Sequence, residues 1–201
     1  MSDTLLAPGP LAPGLADPSH DAQRLFRQVL DALSHPGRIV TLGDAPAGPG
    51  ALSPAAAAFL LTLADRDTPV WLDGAFDTDA VRTFLRFHAG TPIVATRGDA
   101  SFAVVACDDP APLDGFAIGT DTFPDRSATL VIEVPSLLGG TVRTWRGPGI
   151  DGSACVAIAG PCDAFWRECA ANHTSFPCGV DIVFAAGNQL IALPRSIAVE
   201  A

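Results

Sequence analysis

Phe176-Pro-Cys-Gly-Val-Asp-Ile-Val-Phe184, followed by Ala-Ala-Gly-Asn-Gln and then Leu190-Ile-Ala-Leu-Pro-Arg195, is the stretch on which the fold turns. Pro177 and Gly179 punctuate the chain as a turn, and Val180 to Phe184 is an apolar run of strand length. Gly187-Asn188 is a tight-reversal pair, so Leu190 to Leu193 is expected to return as the second arm of a hairpin. Asp181 lies in the first arm among apolar neighbours. A carboxylate there needs hydrogen bonds or a cation, or its pKa rises. Arg195, just past Pro194, is the candidate partner, and the bland role for Asp181 is to cap or staple the hairpin.

Upstream, the pattern alternates between helical and extended spacing. Residues 1–16, rich in Pro and Gly, read as an extended arm, and residues 17–201 as a single α/β domain. Asp17-Pro18 supplies a helix cap and first turn, with Ala22, Leu25, Phe26, Val29, Leu30 and Leu33 expected inward. Arg27 and Asp31 stand four residues apart on that helix. Pro36-Gly37 ends it, and Arg38 to Leu42 reads as a strand. Ser53-Pro54 opens a second helix, and Asp77-Thr78-Asp79 a third whose inward set is Val81, Phe84, Leu85 and His88. Val70 to Leu72 and Pro92 to Ala95 are strands beside it. This rhythm predicts βαβ units in a layered α/β domain, and the closing hairpin makes its sheet mixed. Phe102 to Ala106 and Ala128 to Val134 are apolar enough for central strands, Val142 to Trp145 less so. Phe123 to Arg126 is a turn, and a helix covers about 162–171 with Phe165, Cys169 and Trp166 inward.

Composition narrows the function. The chain has 201 residues, of which 48% are apolar and only 17% charged, against a usual ~25% charged. So short a chain cannot bury all its apolar matter, and an obligate oligomer or larger assembly is the expected sink. Net charge is −10, from 12 basic and 22 acidic residues, and no basic run occurs, which argues against nucleic-acid binding. All twelve basic residues are Arg. Without Lys, no side chain can form a Schiff base with pyridoxal phosphate (PLP), and none can serve as a P-loop phosphate contact. Five Cys, no basic-then-apolar leader and no apolar run of membrane-spanning length point to a reduced, cytoplasmic protein.

Candidate chemistry is sparse. His88 falls on the apolar face of the third helix near its C-terminus, where it can pack, bond a terminal carbonyl or act as an acid–base group. Arg82 and Arg86 face the other way and could grip a phosphate or a partner's carboxylate. Cys155, Cys162 and Cys169 recur every seven residues, with His173 and Cys178 following. These gaps are too long for the short paired spacings of structural zinc, and a shared helical packing stripe is expected instead. Gly147-Pro148-Gly149 reads as a turn. No serine elbow, Walker motif, dinucleotide fingerprint or H-E-x-x-H occurs. No catalytic residue, metal ligand or cofactor is assigned from the residues themselves.

Several blocks together resemble the PhnH subunit family of bacterial carbon–phosphorus lyase. They are Asp21-Ala-Gln-Arg-Leu-Phe-Arg27, Pro36-Gly37, Leu60-Leu-Thr-Leu-Ala-Asp65, Asp67-Thr-Pro-Val-Trp-Leu72, Leu85-Arg-Phe-His88, Ala128-Thr-Leu-Val131, and Phe176-Pro-Cys-Gly-Val-Asp181 through Ala192-Leu-Pro-Arg195. The resemblance implies organophosphonate catabolism and a fold similar to PLP-dependent transferases without the cofactor lysine. It also implies a homodimer, the G, I and J subunits as partners, and a step that joins a phosphonate to the ribose of ATP with loss of adenine. Three readings stay open: a supporting or site-contributing subunit of that assembly; a free-standing enzyme using Asp181, His88 and an Arg; and a metal-stabilised binding module. Turnover of the isolated chain separates the first two, and elemental analysis the third.

Overall fold

The computed structural model describes residues 11–109 and 112–200. Its elements run α1 (Pro18–Ser34), β1 (Val40–Thr41), α2 (Pro54–Leu63), β2 (Val70–Leu72), α3 (Asp79–His88), β3 (Ile93–Val94), β4 (Phe102–Ala106), β5 (Thr129–Glu133), β6 (Arg143–Arg146), β7 (Ala154–Val156), α4 (Asp163–Thr174), β8 (Asp181–Ala186), β9 (Gln189–Leu193) and β10 (Ala198–Glu200). Short 3-10 turns cover Arg97–Asp99 and Pro124–Arg126. The first three helices start where their caps predict. The side chains of Asp17, Ser53 and Thr78 accept from the N–H groups of His20, Ala56 and Val81, satisfying donors that the first helical turn leaves orphaned.

Seven strands form one mixed sheet in the order β1-β9-β8-β5-β4-β2-β3. Its centre is parallel, β8-β5-β4-β2-β3, and the hairpin adds β9 and then β1 antiparallel at one edge. The hairpin pairs Ala186 with Gln189 across Gly187-Asn188, and positive φ at Gly187 is what a two-residue reversal with glycine first requires. Because side chains alternate along a strand, the sheet has two apolar faces. Val104, Val131 and Val183 pack with α1, α2 and α3. Val105, Leu130, Ile132, Ile182 and Phe184 pack with α4 and a second, three-stranded antiparallel sheet, β10-β6-β7. Trp145, Phe165, Trp166 and Phe184 fill that second layer, with ring centroids 5.3–6.4 Å apart.

Two local expectations shift. Helix α1 is rotated from the predicted stripe: Asp21, Leu25, Val29 and Ala32 are buried, while Phe26 and Leu30 are 47% and 49% exposed. Asp21 tolerates burial because its carboxylate accepts from the Asp17 main-chain N–H and from Arg24, both at 2.9 Å. Asp31 turns to His35 and Arg38, at 3.1 and 3.3 Å, instead of pairing with Arg27. Of the sequence assigned to an arm, residues 11–16 are described. Ala12 and Leu15 pack against the helical core, and the rest lies outside the described residues.

Candidate functional site

The N-terminal edge of the parallel strands is built as a row. Register aligns Val70, Phe102, Thr129 and Asp181 across β2, β4, β5 and β8, at a spacing of ~4.8 Å per strand. Asp181 ends this row as the first residue of β8, and the chain returns to it after β9. The Arg195 main-chain N–H donates to Asp181 Oδ1 at 2.9 Å, its Nε to the same oxygen at 3.2 Å, and its Nη2 to Oδ2 at 2.5 Å. The guanidinium continues to the Pro124 carbonyl at 2.7 Å and to the Ser127 hydroxyl. Four of its five N–H donors are thereby committed, and the pair staples the hairpin to the 124–127 turn.

Helix α4 holds the other end of the same stretch. The Asn172 amide donates to the Val180 carbonyl and accepts from the Val180 N–H, both at 2.9 Å. Gly179 passes so close that a Cβ would lie 2.7 Å from Asn172 Oδ1, and its φ of +126° excludes most other residues. His173 Nδ1 lies 3.1 Å from the Arg195 carbonyl. The Phe176–Pro177 bond is cis.

Two cavities open on this edge. One of about 360 Å³ is lined by Pro124, Asp125, Phe176 and Pro177 together with Asp181, Arg195 and Ser196. A second, of about 400 Å³, is lined by Thr68, Ser101, Asp125, Arg126, Ser127 and Thr129 among others. The opposite edge, where open α/β sheets usually carry ligands, has its carboxylates turned onto the backbone. Asp73 accepts from Gly74 N–H at 2.6 Å and Ala106 N–H at 3.1 Å, and Glu133 accepts from Ser53 N–H at 2.7 Å. Burial pushes the Glu133 carboxyl above its usual value, against the lowering effect of its Ser53 bonds.

The sequence-selected residues fall in two separate groups. Asp181 and Arg195 meet at the edge just described. Arg82 instead pairs with Asp77, whose carboxyl that hydrogen bond holds below its usual value. Arg86 stands exposed on α3. His88 is taken up by the incoming N-terminal segment: its Nε2 lies 2.9 Å from the Ala12 carbonyl, and its ring sits edge-on to Phe84 and Phe87. The expected cysteine stripe does not form. Cys155 is on β7, Cys162 precedes α4 without a side-chain capping bond, and only Cys169 is buried in the helix. Among the described residues, no three His, Cys, Asp or Glu side chains are arranged to hold a metal ion. Gly147-Pro148-Gly149 is a packing turn, with Gly149 against the Ser34 carbonyl. Sequence reasoning did not anticipate Ser127, Pro124 and Asn172. Pro124 and Ser127 meet the guanidinium of a distant residue, and Asn172 reaches the Val180 backbone across the turn that follows its helix, pairings for which local pattern carries no signal.

Three comparisons bear on this arrangement. The sequence model of the family described as "Bacterial phosphonate metabolism protein (PhnH)" matches residues 13–200. The chain is 40% identical over 186 residues, 92% of its length and 93% of the relative's, to "Alpha-D-ribose 1-methylphosphonate 5-triphosphate synthase subunit PhnH" of Rhizobium meliloti (strain 1021). It is 27% identical over 176 residues, 87% of its length and 83% of the relative's, to "Putative C-P lyase subunit protein HtxG" of Stutzerimonas stutzeri.

Proposed function

The chain belongs to the PhnH family, and from that membership we propose that it is a subunit of the assembly that makes α-D-ribose 1-methylphosphonate 5-triphosphate for carbon–phosphorus bond cleavage. The observation that carries the proposal is 40% identity over nearly the whole length of a relative bearing that synthase's name. In the reaction, a phosphonate oxygen attacks the ribose C1′ of ATP. The bond to adenine breaks as the new C–O bond forms, and adenine leaves with a proton.

The chain's own chemistry supports a helping role over an autonomous one. Asp181 already accepts from Arg195 three times, and Arg82 already pairs with Asp77. A triphosphate is normally met by Lys, Arg, a metal or a glycine-rich nest, and this chain has no Lys. Phosphate recognition is therefore shared with partner subunits, which we take to be the G, I and J subunits. The chain itself pairs as a homodimer in the cytoplasm and uses no pyridoxal phosphate. Exposed Phe26, Leu30, Phe87 and Phe176 supply apolar surface of the kind that permanent interfaces bury. We take the fold to be kin to PLP-dependent transferases, a finer reading than the mixed α/β class the sheet itself displays, and none of the described helices is long and apolar enough to cross a membrane.

Adenine release from ATP and methylphosphonate tests the reading, assayed with the isolated chain and with the other synthase subunits added. We expect none from the chain alone and release that depends on this chain in the mixture. Robust release by the isolated protein overturns the subunit role.

A further inference from the structure

We propose that the cavity between Ser101, Arg126, Ser127 and Thr129 binds a tetrahedral phosphorus oxyanion. The donors argue for it first. Ser127 Oγ accepts from Arg195 Nη2, which leaves the hydroxyl's own proton to donate elsewhere. Ser101 and Thr129, neither fully buried, make no side-chain hydrogen bond among the described residues. Arg126 has no carboxylate partner among the described residues. Its guanidinium stacks 4.3 Å from the Phe123 ring centroid, which orients the planar fork without using its N–H edges. Arg126 and three residues with an uncommitted hydroxyl proton thus line one cavity, while its fourth hydroxyl, that of Thr68, donates to Asp65.

That set selects an anion with several oxygens, and a phosphonate or phosphate monoester presents three terminal ones. Asp125, also in the lining, opposes binding and sets an upper limit on affinity. The volume, about 400 Å³, leaves room for an organic substituent beside the oxyanion. The site also connects to the Asp181–Arg195 pair, because Ser127 bonds that guanidinium. A filled cavity would hold the hairpin exit and the 124–127 turn together. The choice of phosphorus over other tetrahedral oxyanions rests on the proposed function; the anion class rests on the donors alone.

The test is a 15N NMR titration of the full chain with methylphosphonate, inorganic phosphate and ATP, each against sodium chloride at matched ionic strength. Saturable shifts are expected at the amides of Ser101, Phe102, Arg126, Ser127 and Thr129. Arg126→Gln should weaken binding roughly tenfold, the share of one charge-assisted contact. Thr129→Val, which keeps the volume, should weaken it less, and Asp125→Asn should tighten it. The ligand that saturates first identifies whether the natural source is the phosphonate or the nucleotide. Shifts that sodium chloride reproduces, no saturable shift at these amides, or binding indifferent to both Arg126→Gln and Thr129→Val each overturn the proposal. Adenine release by the reconstituted subunits reports on the synthase reading separately, since it does not depend on ligand binding by the isolated chain.

Discussion

Asp181 and Arg195, fourteen residues apart, close the base of the β8–β9 hairpin: one carboxylate accepts from both the main chain and the guanidinium of one arginine, at 2.9 and 2.5 Å. Side-chain exposures of 25% and 13% keep the pair largely out of water. A pair of this kind is held by hydrogen bonds as much as by charge, and its weight lies in what each partner would lose alone. Arg195 also reaches Pro124 and Ser127, so one guanidinium ties three segments of chain.

Removing the carboxylate should therefore be worse than neutralising it. Asp181→Ala leaves the Arg195 N–H and guanidinium without their acceptor, at a cost of ~1–3 kcal/mol. Asp181→Asn keeps an acceptor oxygen and should lose less. Urea denaturation of both variants checks the order. If both are as stable as the parent yet fail to support adenine release in the assembled subunits, Asp181 acts on substrate and not on the hairpin.

Glu133 gives stability a pH dependence of known sign. Burial raises its folded-state pKa above the ordinary carboxylate value, so the folded protein holds this proton more tightly than the unfolded chain. Its contribution is fully present below the unfolded pKa and is lost as pH rises through the folded one. Glu133→Gln removes that titration while keeping an acceptor for the Ser53 N–H. Relative to the parent, the Gln variant should gain stability between pH 4 and pH 7, measured by urea midpoints at each end. A gap that narrows with rising pH would falsify the assignment.

Much of this was legible in the sequence, and the reasons differ by element. The hairpin, the Asp181–Arg195 pairing and the three helix caps are local or near-local, and residue chemistry specifies them. The facing of α1 was not, because a period of 3.6 residues cannot separate a stripe through Leu25 and Val29 from one through Phe26 and Leu30. Tertiary packing made that choice, with Asp21 and Ala32 inside. The second sheet was only partly visible. Val142 is 62% exposed, whereas Arg143 and Trp145 are buried, an inversion that period-2 reading of a short strand cannot detect. The evenly spaced cysteines misled because the spacing spans β7, a loop and α4, where helical period has no meaning.

Those cysteines should differ sharply in reactivity. Cys155 and Cys162 are exposed and should be alkylated first by iodoacetamide at mildly alkaline pH. Cys107 and Cys178 should follow, because burial raises both thiols and Asp108 and Asp121 add to it. Cys169, whose thiol burial pushes well above its usual value, should be modified only on unfolding. Peptide mass spectrometry over a time course checks the order, and early labelling of Cys169 would contradict the packing of α4.

Asn172 offers the sharpest test of how the Phe176–Gly179 turn is held. Its amide satisfies both backbone groups of fully buried Val180. Asn172→Ala leaves that N–H and carbonyl unpaired, each at ~1–3 kcal/mol. Asn172→Asp retains the acceptor but sets a carboxylate against the Val180 carbonyl, so it should not rescue. Gly179→Ala should act in the same direction by a different route, since φ +126° is strained for any side chain and the Cβ collides with Asn172 Oδ1. Hydrogen exchange separates a local clamp from general destabilisation. In Asn172→Ala the Val180 amide should lose protection first, while Ile182 and Val183, paired inside the sheet with β9 and β5, keep theirs up to the global unfolding limit. Unchanged protection at Val180 would mean that something other than Asn172 anchors the turn.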